Sequence, residues 1–381
     1  MLKVLQMVPA LDGGGVERGT VEVATALVEA GHVALVMSGG GCLVEALEAV
    51  GAVHVTWPVG RKSLRTLLLV RRLRRWLEAE GIDIVHVRSR VPAWLARFAL
   101  DGMDPDSRPG LVSTVHGLHS VSRYSAVMTR ADRVIAVSES VRRYIAEHYP
   151  AADLSRVRVI QRGVSPAQFP HGHRPDATWL RAWGQAHPEL AGRYVVALPG
   201  RITRLKGHHE LLRATARLRE WGVPVQALFV GGADPRHRAY LDEIKRAAHA
   251  LGLDGRVTFT GQRSDMRDVM AVTDVVVSLS TRPESFGRTT LEAISLGRPV
   301  LGYDHGGVGE QLAMLYPEGR VAVGDWESLA ERLRTWWRDG APPVPTSHGL
   351  TLARMLEQTL ALYRELAEAR QRRRTTNFSP R

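Results

Sequence analysis

Short apolar runs recur along the chain, separated by stretches in which apolar positions fall every three or four residues. The first series of runs is Val4–Val8, Val33–Met37, Val53–Thr56, Ile82–Val87, Leu111–Val115, Arg133–Val137 and Val157–Ile160. A second series follows at Tyr194–Pro199, Val225–Val230, Val257–Thr260, Val275–Leu279, Pro299–Gly302 and Arg320–Val323. Runs this short and continuous predict strands buried on both faces. The helically spaced segments between them predict the crossovers of parallel sheets. Two series predict an α/β protein of two Rossmann-like domains facing across a cleft, with strand-end loops from both lining it.

The alternation fails over Ser165–Glu189, where Pro166, Pro170, Pro175 and Pro188 predict a linker or an irregular opening helix. A boundary near Gln168 gives a first domain over 1–168 and a second over 169–345. Pro342, Pro343 and Pro345 mark another break. Beyond it, Leu352, Met355, Leu356, Thr359, Tyr363 and Leu366 predict an amphipathic helix, and 346–381 is read as that helix with a basic, frayed tail.

Length agrees with this division, since 381 residues suit two cores better than one. No run of 18 or more apolar residues predicts a membrane span. Pro9 and Asp12 follow Met1–Val8 too closely for a signal peptide, so that segment is expected to be the first strand. Cys42 is the single cysteine, which leaves no internal disulfide and fits a reducing compartment. The formal charge of +12 favours anionic partners. Lysine is scarce, at positions 3, 62, 206 and 245 only. A lysine in a loop that could hold phosphate is therefore more informative than another arginine.

Four candidate motifs follow expected strands. Gly13, Gly14 and Gly15 lie between the first strand and first helix, where glycine lets backbone amides approach an anion. Their spacing does not match a dinucleotide fingerprint, and a plain tight turn is the alternative. Arg201 and Lys206 bracket the loop opening the second domain. Two cations beside a helix start suit a diphosphate and would stabilise the charge of a departing nucleoside diphosphate. Glu284 and Glu292 flank Phe286 and Gly287, and Arg288 starts a helix whose amides at Arg288, Thr289 and Thr290 point at an anion. Glu292 can accept from ribose hydroxyls and Glu284 from sugar hydroxyls. The fourth motif, Val300–Glu310, is a strand followed by a glycine-rich loop that lets backbone approach a ligand closely, with a simple turn as the alternative. His116, at the end of a first-domain strand, is placed either to meet a sugar hydroxyl or to serve as a core or turn histidine.

Together these residues resemble the retaining glycosyltransferases of family 4, which have the GT-B fold. The likeness covers nearly the whole chain. Its most specific part joins Glu284, Phe286, Gly287 and Glu292 to Arg201 and Lys206. The resemblance implies that Arg201 and Lys206 hold the donor diphosphate and Glu292 the ribose. It places Glu284 and His116 by the donor sugar, and Gly13–Gly15 against phosphate or acceptor. It also implies a UDP- or GDP-sugar donor, no metal, retained anomeric configuration, and a final helix crossing back to the first domain. Asp104 and Asp106 are accordingly read as a turn rather than a metal motif. One departure is the segment Gln161, Arg162, Gly163, Val164, Ser165, where the family often has Asn-Gly-Val-Asp.

The stretch Ser63–Glu80 sets Leu69, Leu73, Trp76 and Leu77 on one face and Arg65, Arg71, Arg72, Arg74 and Arg75 around the rest. A core-packed helix with a solvated arginine face explains it. A basic helix on an anionic membrane explains it too, and one helix can do both. With the charge, this predicts a cytoplasmic protein, peripheral on the inner face of the cytoplasmic membrane. The expected reaction is transfer of a hexose to a lipopolysaccharide-type or other lipid-linked glycan. Rival readings are a sugar-nucleotide epimerase or phosphorylase of the same architecture and a non-catalytic sugar-nucleotide binder. Charge alone suggests nucleic acid, but no recognised basic and aromatic module supports it.

Overall fold

The computed structural model describes residues 1–61, 63–233 and 238–377. Lys62 and the last residues of the basic tail lie outside these, as does the side chain of Arg65. The chain divides into two compact units. One comprises Met1–Gln161 with the C-terminal segment from Ala353, the other Arg162–Leu352.

The first unit holds β1 (Lys3–Met7), β2 (Val33–Ser38), β3 (Val53–Thr56), β4 (Ile84–Val87), β5 (Gly110–Val115), β6 (Arg133–Ala136) and β7 (Val157–Val159). They form one parallel sheet in the order β3-β2-β1-β4-β5-β6-β7. The second unit holds β8 (Tyr194–Pro199), β9 (Val225–Val230), β10 (Val257–Phe259), β11 (Val275–Ser278), β12 (Val300–Tyr303) and β13 (Arg320–Val321). Their order is β10-β9-β8-β11-β12-β13. β1, β4, β5, β8 and β9 are buried, or nearly so, along their whole length, as largely apolar runs require when helices cover both faces. In each sheet the chain reverses its direction of travel once, between β1 and β4 and between β8 and β11. The loops after those strands diverge and leave room for a ligand at the carboxyl edge.

The unit boundary at Gln161 comes earlier than the expected 168. Backbone pairing explains the shift: Val164 bridges Thr351, Val164 N donates to Leu350 O at 3.2 Å, and Gly172 N donates to Leu296 O at 3.0 Å. Phe169 packs on the second core. The proline-rich stretch is therefore part of the second unit, followed by a helix at Ala177–Ala186 capped by Asp176. Asp104–Ser107 is a turn, with Asp106 N donating to Asp104 Oδ1 at 3.3 Å.

The final helix, Leu352–Asn377, groups with the first unit and buries Met355, Thr359, Leu362, Tyr363 and Leu366. Tyr363 sits beneath the first sheet in a polar cluster. Its hydroxyl lies 2.5 Å from His86 Nδ1, and His86 Nε2 lies 2.6 Å from Thr114 Oγ1. Arg88 donates to Gln6 Oε1 through Nε at 3.0 Å and a terminal nitrogen at 2.7 Å. Burial drives His86 well below its ordinary pKa, with the Arg88 charge adding to the effect, so it is neutral in the fold. Its contribution to stability is complete above the unfolded-state value near 6.5 and is lost as pH falls from there toward the depressed folded value. Tyr363→Phe removes the shared hydroxyl and is expected to cost about 1–3 kcal/mol in urea titration. An unchanged urea midpoint would show that the cluster does not tie the helix down.

Candidate active site

The second unit brings three of the four motifs to the carboxyl ends of adjacent strands. The loop 200–207 follows β8, the loop 279–287 follows β11, and the segment from Asp304 follows β12. Sequence spacing could not show that β8 and β11 are neighbours, since five other described elements separate them in the chain.

Close backbone packing locks the three loops together. Gly207 has φ +76°, and a Cβ there would lie 2.1 Å from Leu279 O, so only glycine lets the first loop turn under the end of β11. Thr281 N donates to Leu205 O at 2.8 Å. On the other side, Gly307 N donates to Glu284 O at 2.7 Å, and Gln311 Nε2 donates to Phe286 O. The glycines of the fourth motif thus support the loop carrying Glu284, a role the simple-turn reading did not contain.

Lys206 Nζ stands 2.7 Å from Glu284 Oε1, and Ser280 Oγ also donates to that oxygen. His305 Nε2 is 2.7 Å from Ser280 O. Burial pushes the Glu284 carboxyl upward, but Lys206, Ser280 and the nearby His305 outweigh it and hold the group below the ordinary glutamate range. Ser280 and His305 were missed as functional candidates. Their signal was position: each lies two residues past a strand end, Ser280 after β11 and His305 after β12.

Phe286 is buried, and Gly287 precedes the helix Arg288–Ser295. Within that helix Arg288 Nε donates to Glu292 Oε1 at 2.8 Å, with Glu292 buried in the first turns. Thr289 is half-buried. Thr290 Oγ1 is buried and has no hydrogen-bond partner among the described residues. Arg201 projects from the β8 loop as an exposed cation. Arg204 instead pairs with Glu243 and lies 4.8 Å from the Tyr240 ring, a surface role.

In the first unit, Gly13–Gly15 follow β1 at the reversal point of that sheet, and Gly15 opens the helix Gly15–Glu29. His116 follows β5, with β4 between the two positions in the sheet order. It is half-buried.

Two family models match the chain in tandem. "Glycosyltransferase Family 4" covers residues 13–168 and "Glycosyl transferases group 1" covers residues 182–348. The chain belongs to glycosyltransferase family 4. Its two Rossmann-like domains are those of the GT-B fold.

Among relatives, the D-inositol 3-phosphate glycosyltransferase of Rhodococcus erythropolis is 34% identical over 240 residues, covering 61% of this chain and 50% of that protein. The lipopolysaccharide core biosynthesis mannosyltransferase LpcC of Rhizobium leguminosarum is 29% identical over 239 residues, 63% of each chain. The match thus spans about half to under two thirds of these curated relatives. Among solved structures, a glycosyltransferase of Rickettsia africae superposes with TM-score 0.84 at 27% identity, covering 96% of this chain and 98% of that one. The Anabaena protein HepE, solved with UDP and glucose, gives 0.80 at 23% identity over 96% and 100% of the two chains, a likeness of fold alone.

Proposed function

We propose that this family 4 protein moves a hexose from a nucleoside-diphosphate sugar to a hydroxyl of a growing cell-surface glycan, retaining anomeric configuration. The observation that carries this reading is the Lys206–Glu284 pair set at the reversal point of the second sheet, beside the start of the helix Arg288–Ser295. Arg201 and Lys206 supply the positive charge a diphosphate needs, and the helix amides at Arg288, Thr289 and Thr290 add donors. Glu292 takes the ribose hydroxyls and Glu284 the sugar hydroxyls. Phe286 and Gly287 shape the sugar's surroundings; within the first domain, His116 and Gly13–Gly15 offer polar groups to a ligand at their own strand ends.

The bond from C1 to the donor phosphate oxygen breaks, and a bond from C1 to the acceptor oxygen forms on the same face. The acceptor proton passes to the departing phosphate. Fixed cations at that phosphate lower the barrier as its charge develops, which is the work a metal does elsewhere. HepE, solved with UDP and glucose, supports the donor class, and the name of LpcC supports a lipopolysaccharide-type or other lipid-linked acceptor.

Among the described residues no helix is long and apolar enough to cross a membrane. The helix Leu64–Glu80 buries Leu73 and Leu77 and exposes Arg71, Arg72 and Arg75. With the +12 charge, that arginine face supports peripheral association with the anionic inner face of the cytoplasmic membrane.

Calorimetry with UDP, GDP and ADP and their sugars tests the donor assignment. One diphosphate and its sugar should bind, and Glu284→Ala should weaken the sugar nucleotide more than the bare diphosphate. Binding of none of them removes the reading. Donor turnover without acceptor would favour the epimerase, and an inverted linkage by NMR would remove the retaining mechanism.

A further inference from the structure

The first unit carries an apolar groove of about 410 Å³ that the donor chemistry does not use. Thr66, Val91, Trp94, Leu95, Phe98 and Tyr124 line it. Four of these come from the helix Arg90–Asp101 at positions 91, 94, 95 and 98, one apolar stripe at helical spacing. A stripe of that kind ordinarily packs inward. Here Phe98 is 41% and Tyr124 36% exposed. The ring of Trp94 stands 5.1 Å from that of Phe98, and its only polar atom is satisfied by Tyr124 O at 3.0 Å.

Cations stand at the groove. Arg61 is part of the lining. Arg90 lies with its guanidinium carbon 5.4 Å from the Tyr124 ring centre and donates to Ser125 Oγ at 3.2 Å. Among the described residues neither is in a salt bridge. The carboxylate at the far end of the helix, Asp101, is already held by Arg97 at 2.8 Å. The segment after His116 runs into this groove at Tyr124, so the groove is continuous in sequence with the first-domain strand end assigned to the sugar.

An apolar trough beside cations that no carboxylate among the described residues pairs with is complementary to a hydrocarbon chain bearing an anionic head. We infer that the groove seats the hydrocarbon tail of the acceptor, a lipid phosphate or phosphate-linked glycolipid, with the phosphate on Arg61 and Arg90. This rests on the glycosyltransferase reading above and deepens it by assigning a seat to the acceptor's lipid tail and phosphate. A bare glycan leaves the trough empty, and an uncharged apolar peptide leaves the cations unused.

The test titrates the whole chain with monomeric n-alkyl phosphates from hexyl to dodecyl, below their micelle concentrations, by tryptophan fluorescence. Affinity should rise about fourfold per methylene, the equivalent of about 0.8 kcal/mol per buried CH₂, and level off once the groove is full. The matching alcohols should bind more weakly. Phe98→Asp, at an exposed position, should lower dodecyl phosphate affinity at least tenfold and leave nucleoside-diphosphate binding unchanged. Affinity independent of chain length, or undiminished in Phe98→Asp, overturns the inference. So does the case in which the monomers fail to bind while Phe98→Asp releases the protein from phosphatidylglycerol vesicles, because the face would then insert into a bilayer. Nucleoside-diphosphate titration of the same sample separates failure of the groove from failure of the donor reading.

Discussion

Lys206→Ala is expected to lower kcat/KM for sugar transfer by about 10²–10³, the usual cost of removing one fixed group that stabilises developing charge. The substitution has two consequences, both traceable to one 2.7 Å contact with Glu284. It removes a cation from the diphosphate side. It also removes from Glu284 the charge that does most to offset its burial, so the carboxyl pKa should rise. In the parent protein the depressed pKa means that the pair's contribution to stability is present above the unfolded glutamate value and lost as pH falls through the folded one. The acidic limb of kcat/KM should therefore move to higher pH in Lys206→Ala. Lys206→Arg should recover part of the rate, because charge returns but the guanidinium fork does not fit the space of an ammonium. A parent-like rate in Lys206→Ala would falsify the assignment of this pair.

Gly307→Ala is the second large effect. A Cβ at Gly307 would lie 2.4 Å from Phe286 Cα and 2.6 Å from Phe286 O. Those are backbone atoms, so no side-chain rotation relieves the contact and the loop 284–287 must move. Overpacking of this kind costs about 1–3 kcal/mol. A displacement near 1 Å of groups that orient a reacting sugar costs about 10²-fold in rate. The rate loss should thus exceed what the urea midpoint suggests, with native protein still the dominant species. Gly184→Ala is the control, since an added Cβ in that helix meets nothing within 4 Å. Equal kinetics in the two variants would show that the loop tolerates the shift.

Much of this architecture was legible along the chain, for a physical reason. Strands covered on both faces are apolar nearly throughout, so β8 stands out as an uninterrupted run, and β1 and β9 as runs broken by Gln6 and Gln226, with ends that match the structure closely. The motifs stood out as candidates because ligands gather where such strands end. Pairings between distant segments were not. Nothing in the runs says that β8 lies beside β11, or that Val164 pairs with Thr351 and so carries the proline-rich stretch into the second unit. The same limit hid the meeting of His86 and Tyr363, which are 277 positions apart. In the sequence His86 reads as a blemish in an apolar run. Ser280 and His305 look like loop polarity until the fold sets them around Glu284.

The position of Tyr363 bears on how the chain is made. Residues 162–352 form a complete unit inserted between β7 and the helix that finishes the first core. At about 5–20 residues per second, a ribosome needs roughly 10–40 s to pass through that insertion. During that interval β1–β7 have emerged with His86, Arg88 and the seat of Leu366 uncovered. The N-terminal domain is therefore the last to mature, although it is the first to be synthesised. It waits in an unfinished state in which exposed apolar surface invites chaperones and proteases, while the second unit can fold as it leaves the tunnel.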